Sequence, residues 1–210
     1  MFQKTHFAKK STKRLPEFLT EQEIDRLIDS VQDLRDKAIL ETMYATGCRP
    51  KELRSIQISK IDFNTREIKV LGKDGHGAYT KERILLFTER AGRLMQQYIL
   101  IRKPKTEYQD FLFLNNKGEG LSASELNKMV VGYIFKILSR KIVHPNGAYI
   151  IRHSFATAMM NRGVDLPYIS EYLGHANYSS VQVYTHTGID RLIQVHKRCH
   201  PRGDYNSFQR

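Results

Sequence analysis

Apolar and polar positions repeat along this chain with two different periods. Ile24, Leu27, Ile28 and Val31 recur at helical spacing, and Thr20 and Glu23 stand at capping-box separation ahead of them. A first helix is predicted there. A second is predicted over about Leu34 to Ala45, stopped by Gly47, and Pro50 suits the first turn of a third through PKELRSI. The period then shortens to two. ISKIDF, a turn at Asn64-Thr65 and REIKVLG read as a hairpin, and ERILLF reads as a third strand. Between the last two, the glycine-rich GKDGHGAYT reads as an exposed turn. Helical spacing returns from Thr88 to about Ile101, followed by a short buried stretch, DFLFL. Ser122 and Glu125 form another capping box ahead of a helix reaching Ile137. IIRHSFATAMMNRG, LPYISEYLGH, SSVQVYTH and IDRLIQVHKR complete a mostly helical remainder. The predicted class is mainly α with a small three-stranded antiparallel sheet (α+β). One domain is expected over residues 15–202, between a basic tail or linker at 1–14 and a C-terminal tail at 203–210.

Composition narrows the partners. The chain has 210 residues, 40% of them hydrophobic, enough for a substantial core. Its 34 Lys and Arg against 22 Asp and Glu leave a net charge of +12. With a pI near 9.7, that surplus points to a polyanion, either nucleic acid or an anionic membrane surface. The longest uncharged apolar-rich stretch, Met129 to Phe135, is far short of the roughly 20 residues of a spanning helix. The start, MFQKTHFAKKSTKRL, lacks the apolar block of a secretory signal. Cys48 and Cys199 make no CxxC unit and allow one disulfide at most, which fits a reducing, cytoplasmic compartment. The first 14 residues carry Lys4, Lys9, Lys10, Lys13 and Arg14 without an acid, a solvated tail or one that lies on phosphates.

Four stretches carry candidate chemistry. In TGCRPKEL, Arg49 follows a helix stop and precedes a helix start, a setting suited to an oxyanion; alone, it reads as a cap or a partner of Glu52. In VLGKDG, Lys73 ends a strand at the mouth of the glycine-rich turn; alone, it is a surface lysine. In YIIRHSFAT, Tyr149 and Arg152 lie three apart on one helix face. The apolar neighbours of Arg152 imply a partly buried helix in which its charge needs a partner. In YLGHANYSSVQVYTH, His175 follows a helix-ending glycine and Tyr184 lies in a later short segment; alone, these read as a C-cap and a core residue. Together, two arginines, a lysine, a histidine and a tyrosine can surround one phosphodiester. Guanidinium forks bind the non-bridging oxygens, the histidine donates, the lysine delivers a proton and the tyrosine attacks.

The order TGCRPKEL, VLGK, IIRHSFAT, LGH and YTH resembles the catalytic domain of the tyrosine recombinases (phage integrase family), in the style of Xer-type enzymes, from about Leu15 to Arg202. The resemblance implies a site-specific recombinase or integrase working through a 3′-phosphotyrosyl intermediate without metal, ATP or other cofactor. Tyr184 would be the nucleophile, Arg49 and Arg152 the phosphate clamps, His175 a phosphate contact and Lys73 the general acid. Glu52 would brace the first arginine. Tyr149 stands where the family usually has histidine, and the long turn after Lys73 leaves Lys81 as a second candidate acid. Implied partners are double-stranded DNA carrying a specific recombination site and further copies of the chain, monomeric in free solution and tetrameric on DNA, with no membrane. Such enzymes generally carry an N-terminal core-binding domain, so this chain is expected to be part of a longer protein or like the short members that invert fimbrial promoter switches. The competing reading is a non-catalytic DNA-binding regulator that keeps the fold. Zinc held by His196, Cys199 and His200 is the weakest reading, because their spacing matches no common site.

Overall fold

A computed structural model of the chain describes residues 17–73, 79–142 and 147–174, with backbone alone at Lys73 and at 79–81. The basic tail, the tip of the glycine-rich turn, SSVQVYTH, IDRLIQVHKR and the C-terminal tail lie outside the described residues.

Helix α1 (Glu21–Ser30) opens on the predicted capping box. The Thr20 hydroxyl accepts from the Glu23 N–H at 3.2 Å, and the Glu23 carboxylate accepts from the Thr20 N–H at 2.8 Å. Its stripe of Ile24, Leu27 and Ile28 is buried. Helix α2 (Leu34–Thr46) starts at Asp33, whose carboxylate accepts from the Asp36 N–H, and ends at Gly47 with φ +58°. Ala38, Ile39, Leu40 and Met43 are buried because α2 runs through the middle, packed against α1, α4 (Glu89–Ile101) and α6 (Tyr149–Asn161). Helix α3 (Pro50–Arg54) is one short turn, shorter than the segment the sequence suggested.

The sheet has the order β1-β2-β3, antiparallel throughout, with β1 at Ile61–Asp62, β2 at Glu67–Lys73 and β3 at Tyr79–Leu86. Its first strand is shorter than ISKIDF. Ile58–Lys60 forms a 3-10 turn instead, because its backbone bonds elsewhere: the Ile58 N–H donates to the Asp110 carbonyl at 2.7 Å and the Ser59 N–H to the Asp110 carboxylate at 2.9 Å. The Asp62 carboxylate then accepts from the Asn64 and Thr65 N–H groups, which closes the turn into β2. Strand β3 begins at Tyr79, earlier than ERILLF, so part of the glycine-rich stretch is strand. Register pairs Ile68 with Leu85 and Val70 with Arg83.

Helix α5 (Ala123–Leu138) carries the second predicted capping box and packs on α1 and α3. DFLFL is buried at Leu112, Phe113 and Leu114 but makes only isolated bridges. The apolar residues divide into two clusters. The larger joins α1 to α5, the sheet and the start of α6; the smaller holds Ala156, Met160, Ile169 and Leu173 between α6 and α7 (Leu166–Leu173). The candidate site sits where the two meet. Among the described residues, no helix is long and apolar enough to cross a membrane.

Candidate phosphate-binding site

The turn between α2 and α3 supplies the first arginine. Gly47 takes a left-handed φ of +58°, and a Cβ there would lie 2.5 Å from the Phe155 ring of α6, so glycine is required for both conformation and space. Arg49 is the N-cap of α3. Its own N–H is not left open to a ligand: it donates to Glu52 Oε2 at 2.7 Å, while Nη1 donates to Glu52 Oε1 at 2.8 Å. Pro50 has no N–H to offer. Cys48, between Gly47 and Arg49, is a buried free thiol pushed up to about 11 by burial, which disfavours thiolate chemistry near neutral pH.

Arg152 reaches the same place from α6. It is 3% exposed and donates from Nη1 to the Gly47 carbonyl and from Nη2 to the Leu173 carbonyl, both at 2.6 Å. Burial, then the neighbouring Arg49 charge, pushes its guanidinium down to about 10, so it remains a cation at neutral pH.

A third arginine completes the cluster. Arg83 on β3 donates from Nε and Nη2 to the two oxygens of Glu52, at 3.1 and 2.7 Å, and from Nη1 to the Tyr172 carbonyl at 2.6 Å. Glu52 is fully buried and accepts two bonds from Arg49 and two from Arg83. Burial pushes its carboxyl up, but the Arg83 bonds and charge, with those of Arg49, outweigh it and hold the group below the usual carboxylate range.

The last carbonyls of α7 face this cluster. Those of Tyr172, Leu173 and Gly174 accept from Arg83, Arg152 and Arg49 in turn, the last at 2.5 Å. A helix C-terminus carries unpaired carbonyls and a partial negative charge, so guanidinium groups are its natural caps. Gly174 closes the helix with φ +65°. Beside it lies an open cleft of about 200 Å³ whose walls include Arg49, Gly72, Arg83 and Gly174. Three cations against Glu52 in the cluster, with Glu171 also on the cleft wall, leave the site positive, which suits an oxyanion.

The structure thus brings Arg49, Glu52 and Arg152 together. Lys73 ends β2 directly after the cleft residue Gly72, and the backbone of Lys81 pairs with Gly72 across the hairpin. Tyr149 opens α6, and its ring lies 6.4 Å from that of His153, one helical turn on. His175 and Tyr184 lie outside the described residues, as do His196, Cys199 and His200. Among the described residues, no group of three or more His, Cys, Asp or Glu could hold a metal ion.

Sequence reasoning missed Arg83. Its signal is parity: Arg83 shares a strand face with the buried Leu85 and lies opposite the buried Val70. An arginine on the inward face needs a carboxylate. The signal was masked because the outward positions Ile84 and Leu86 are apolar too, yet 48% and 51% exposed.

The phage integrase family model matches residues 17–190. The tyrosine recombinase XerC of Mannheimia succiniciproducens is 36% identical over 199 residues, covering 93% of this chain and 65% of that protein. The XerC of Pelotomaculum thermopropionicum is 37% identical over 205 residues, covering 92% of this chain and 64% of that protein. The chain therefore spans just under two thirds of the length of these curated relatives. Among solved structures, the XerH site-specific recombinase bound to a palindromic difH substrate, in a post-cleavage complex, superposes with a TM-score of 0.74 at 26% identity, over 90% of this chain and 55% of that one.

Proposed function

We propose that this chain, which belongs to the phage integrase family, cleaves and rejoins DNA strands at a specific site through a covalent tyrosyl intermediate. The observation that carries the reading is the convergence of Arg49 and Arg152 on one buried, positively charged cluster beside an open cleft. Arg49 lines that cleft and Arg152 lies buried behind it on the same helix end, and a phosphodiester brings the negative charge the cluster lacks.

In the proposed reaction, Arg49 and Arg152 bind the non-bridging oxygens of the scissile phosphate. His175, the next residue after Gly174 in sequence, donates a further hydrogen bond. The Tyr184 oxygen gives its proton to solvent water and attacks phosphorus; the bond to the 5′ oxygen breaks as Lys73 protonates that leaving group. One P–O bond forms for one broken, so a 5′ hydroxyl from a partner duplex can reverse the step with no ATP and no metal. Tyr149 donates to the phosphate from the position usually held by histidine. The catalytic domain spans residues 15–202, its partner is double-stranded DNA carrying a recombination site, and it acts in the cytoplasm as a monomer that assembles into a tetramer on DNA.

The test is a denaturing gel of labelled, nicked duplexes of randomised sequence incubated with the chain in EDTA. A covalent adduct is expected with the wild type and not with Tyr184→Phe, which removes one oxygen and keeps the ring. An adduct that persists in Tyr184→Phe, or maps to Tyr178, refutes the assignment. DNA binding without any adduct identifies a non-catalytic regulator.

A further inference from the structure

Arg83 has no role in the reaction described above, yet its guanidinium joins two parts of the site. Its Nε and Nη2 grip both oxygens of Glu52, the carboxylate that also binds Arg49 by its backbone N–H and by Nη1. Its Nη1 holds the Tyr172 carbonyl, one residue before the carbonyl that binds Arg152 and two before the one that binds Arg49. Arg83 partners the buried Glu52, yet its remaining described donor reaches past that carboxylate to α7. Arg83 places a third cation among groups whose repulsion already disfavours the charge on Arg152. A planar fork with donors at fixed angles is instead suited to holding two acceptors on different elements in register.

We infer that Arg83 is a positioning residue for the phosphate site, orienting Arg49 through Glu52 and fixing the end of α7, from which His175 continues, through the Tyr172 carbonyl. The inference rests on the reading of the arginine cluster as a phosphate site. Arg83 acts through its neighbours: its described bonds go to Glu52 and Tyr172, and it brings no group to the reacting atoms.

Arg83 also keeps Glu52 ionised. Among the described residues, the charged and titratable groups in electrostatic contact with Glu52 include Arg49 and Cys48 from its own turn, Arg83 from β3 and Arg152 from α6. Without Arg83, a fully buried carboxyl loses half of its hydrogen bonds and its strongest cationic partner. Burial then favours the neutral form, and a neutral Glu52 holds Arg49 less firmly. The consequence is a new acid limb in the pH profile.

The experiment compares the full chain with Arg83→Gln and Arg83→Lys, each first checked for an unchanged fold by circular dichroism. Two measurements are made. One is the rate of adduct formation on nicked duplex DNA from pH 5.5 to 8. The other, without DNA, is the nitrogen-15 spectrum of the Arg49 guanidinium, which resolves its two Nη groups when rotation is blocked and averages them when it is free. Arg83→Gln is expected to be slower by about a hundredfold near pH 5.5, as a misplaced clamp implies, and to recover in part toward pH 8. Its Arg49 signals should average. Arg83→Lys keeps the charge but not the fork, so it should be slower than wild type with no acid limb. A wild-type rate in Arg83→Gln, or an equal loss at every pH with Arg49 signals unchanged, overturns the inference. If the wild type forms no adduct but Arg83→Gln still frees Arg49, the positioning role stands and the phosphate reading falls.

Discussion

Replacing Arg152 with methionine is expected to abolish adduct formation while leaving the fold close to wild-type stability. The wild-type side chain is 3% exposed, and burial with the nearby cations pushes its guanidinium well down, to about 10. At 1.36 kcal/mol per unit, that shift means burial and the nearby cations cost the charged form about 3 kcal/mol. Against this stand hydrogen bonds that include those to the buried carbonyls of Gly47 and Leu173. Leaving each acceptor without its partner costs about 1–3 kcal/mol. Methionine fills most of the arginine stem and brings no charge, so the opposing contributions nearly offset. The net change should stay within about 3 kcal/mol, or roughly 6–12 °C in melting temperature for a chain of this size. The sign with pH follows from a cation whose folded pKa lies below its unfolded value. The penalty is fully present below about pH 10 and is relieved above it, so the difference between variant and wild type should be flat from pH 6 to 9. Calorimetry measures the stability, and the nicked-duplex gel measures the chemistry, where loss of a charged phosphate donor should cost at least about 10²–10³ in rate. Arg152→Ala should be less stable than Arg152→Met because it also leaves a cavity. A loss above about 5 kcal/mol in Arg152→Met would show that the carbonyl bonds hold the fold and that the desolvation argument is wrong. Near-normal adduct formation would show that Arg152 does not bind the phosphate.

Gly47→Ala should lose about 2–4 kcal/mol by chemical denaturation, because alanine must adopt a positive φ and push aside the Phe155 ring; an unchanged midpoint refutes this. DNA binding should be strongly salt-dependent, falling by roughly 10³ or more between 50 and 200 mM salt if six or more phosphates are contacted, and a flat titration contradicts the electrostatic reading of the +12 charge. Cys48 should resist iodoacetamide at pH 8 in the folded chain and react once urea unfolds it, as read by peptide mass mapping; rapid native labelling would contradict a buried thiol held up near 11.

The helices were legible where local chemistry acts alone. The capping boxes at Thr20–Glu23 and Ser122–Glu125 and the stop at Gly47 needed nothing beyond neighbours in sequence. ISKIDF was not legible, because its alternation suits a strand until Asp110, distant in sequence, claims its backbone donors. At the site, the pairing of Arg49 with Glu52 could be read from their spacing, and the burial of Arg152 from its apolar neighbours. The partners of Arg152 could not, since main-chain carbonyls such as those of Gly47 and Leu173 leave no mark on residue identity. Arg83 was hidden for a different reason: both faces of its strand are apolar, so nothing in the order of residues says which face turns inward.

The three carbonyls that end α7 also bear on the timing of an entropic cost. A free arginine side chain carries about 2 kcal/mol of rotamer entropy, so immobilising Arg49, Arg83 and Arg152 withdraws up to about 6 kcal/mol. Because helix-end oxygens and Glu52 already restrain all three, that loss falls on folding. In the proposed reaction an arriving phosphate would meet side chains already held in place, with little disorder left to remove, so more of each contact would be retained as affinity and as stabilisation of the transition state. The same restraint makes the pocket selective for shape: a guanidinium tied to a helix end cannot swing to follow an anion that sits an ångström out of place.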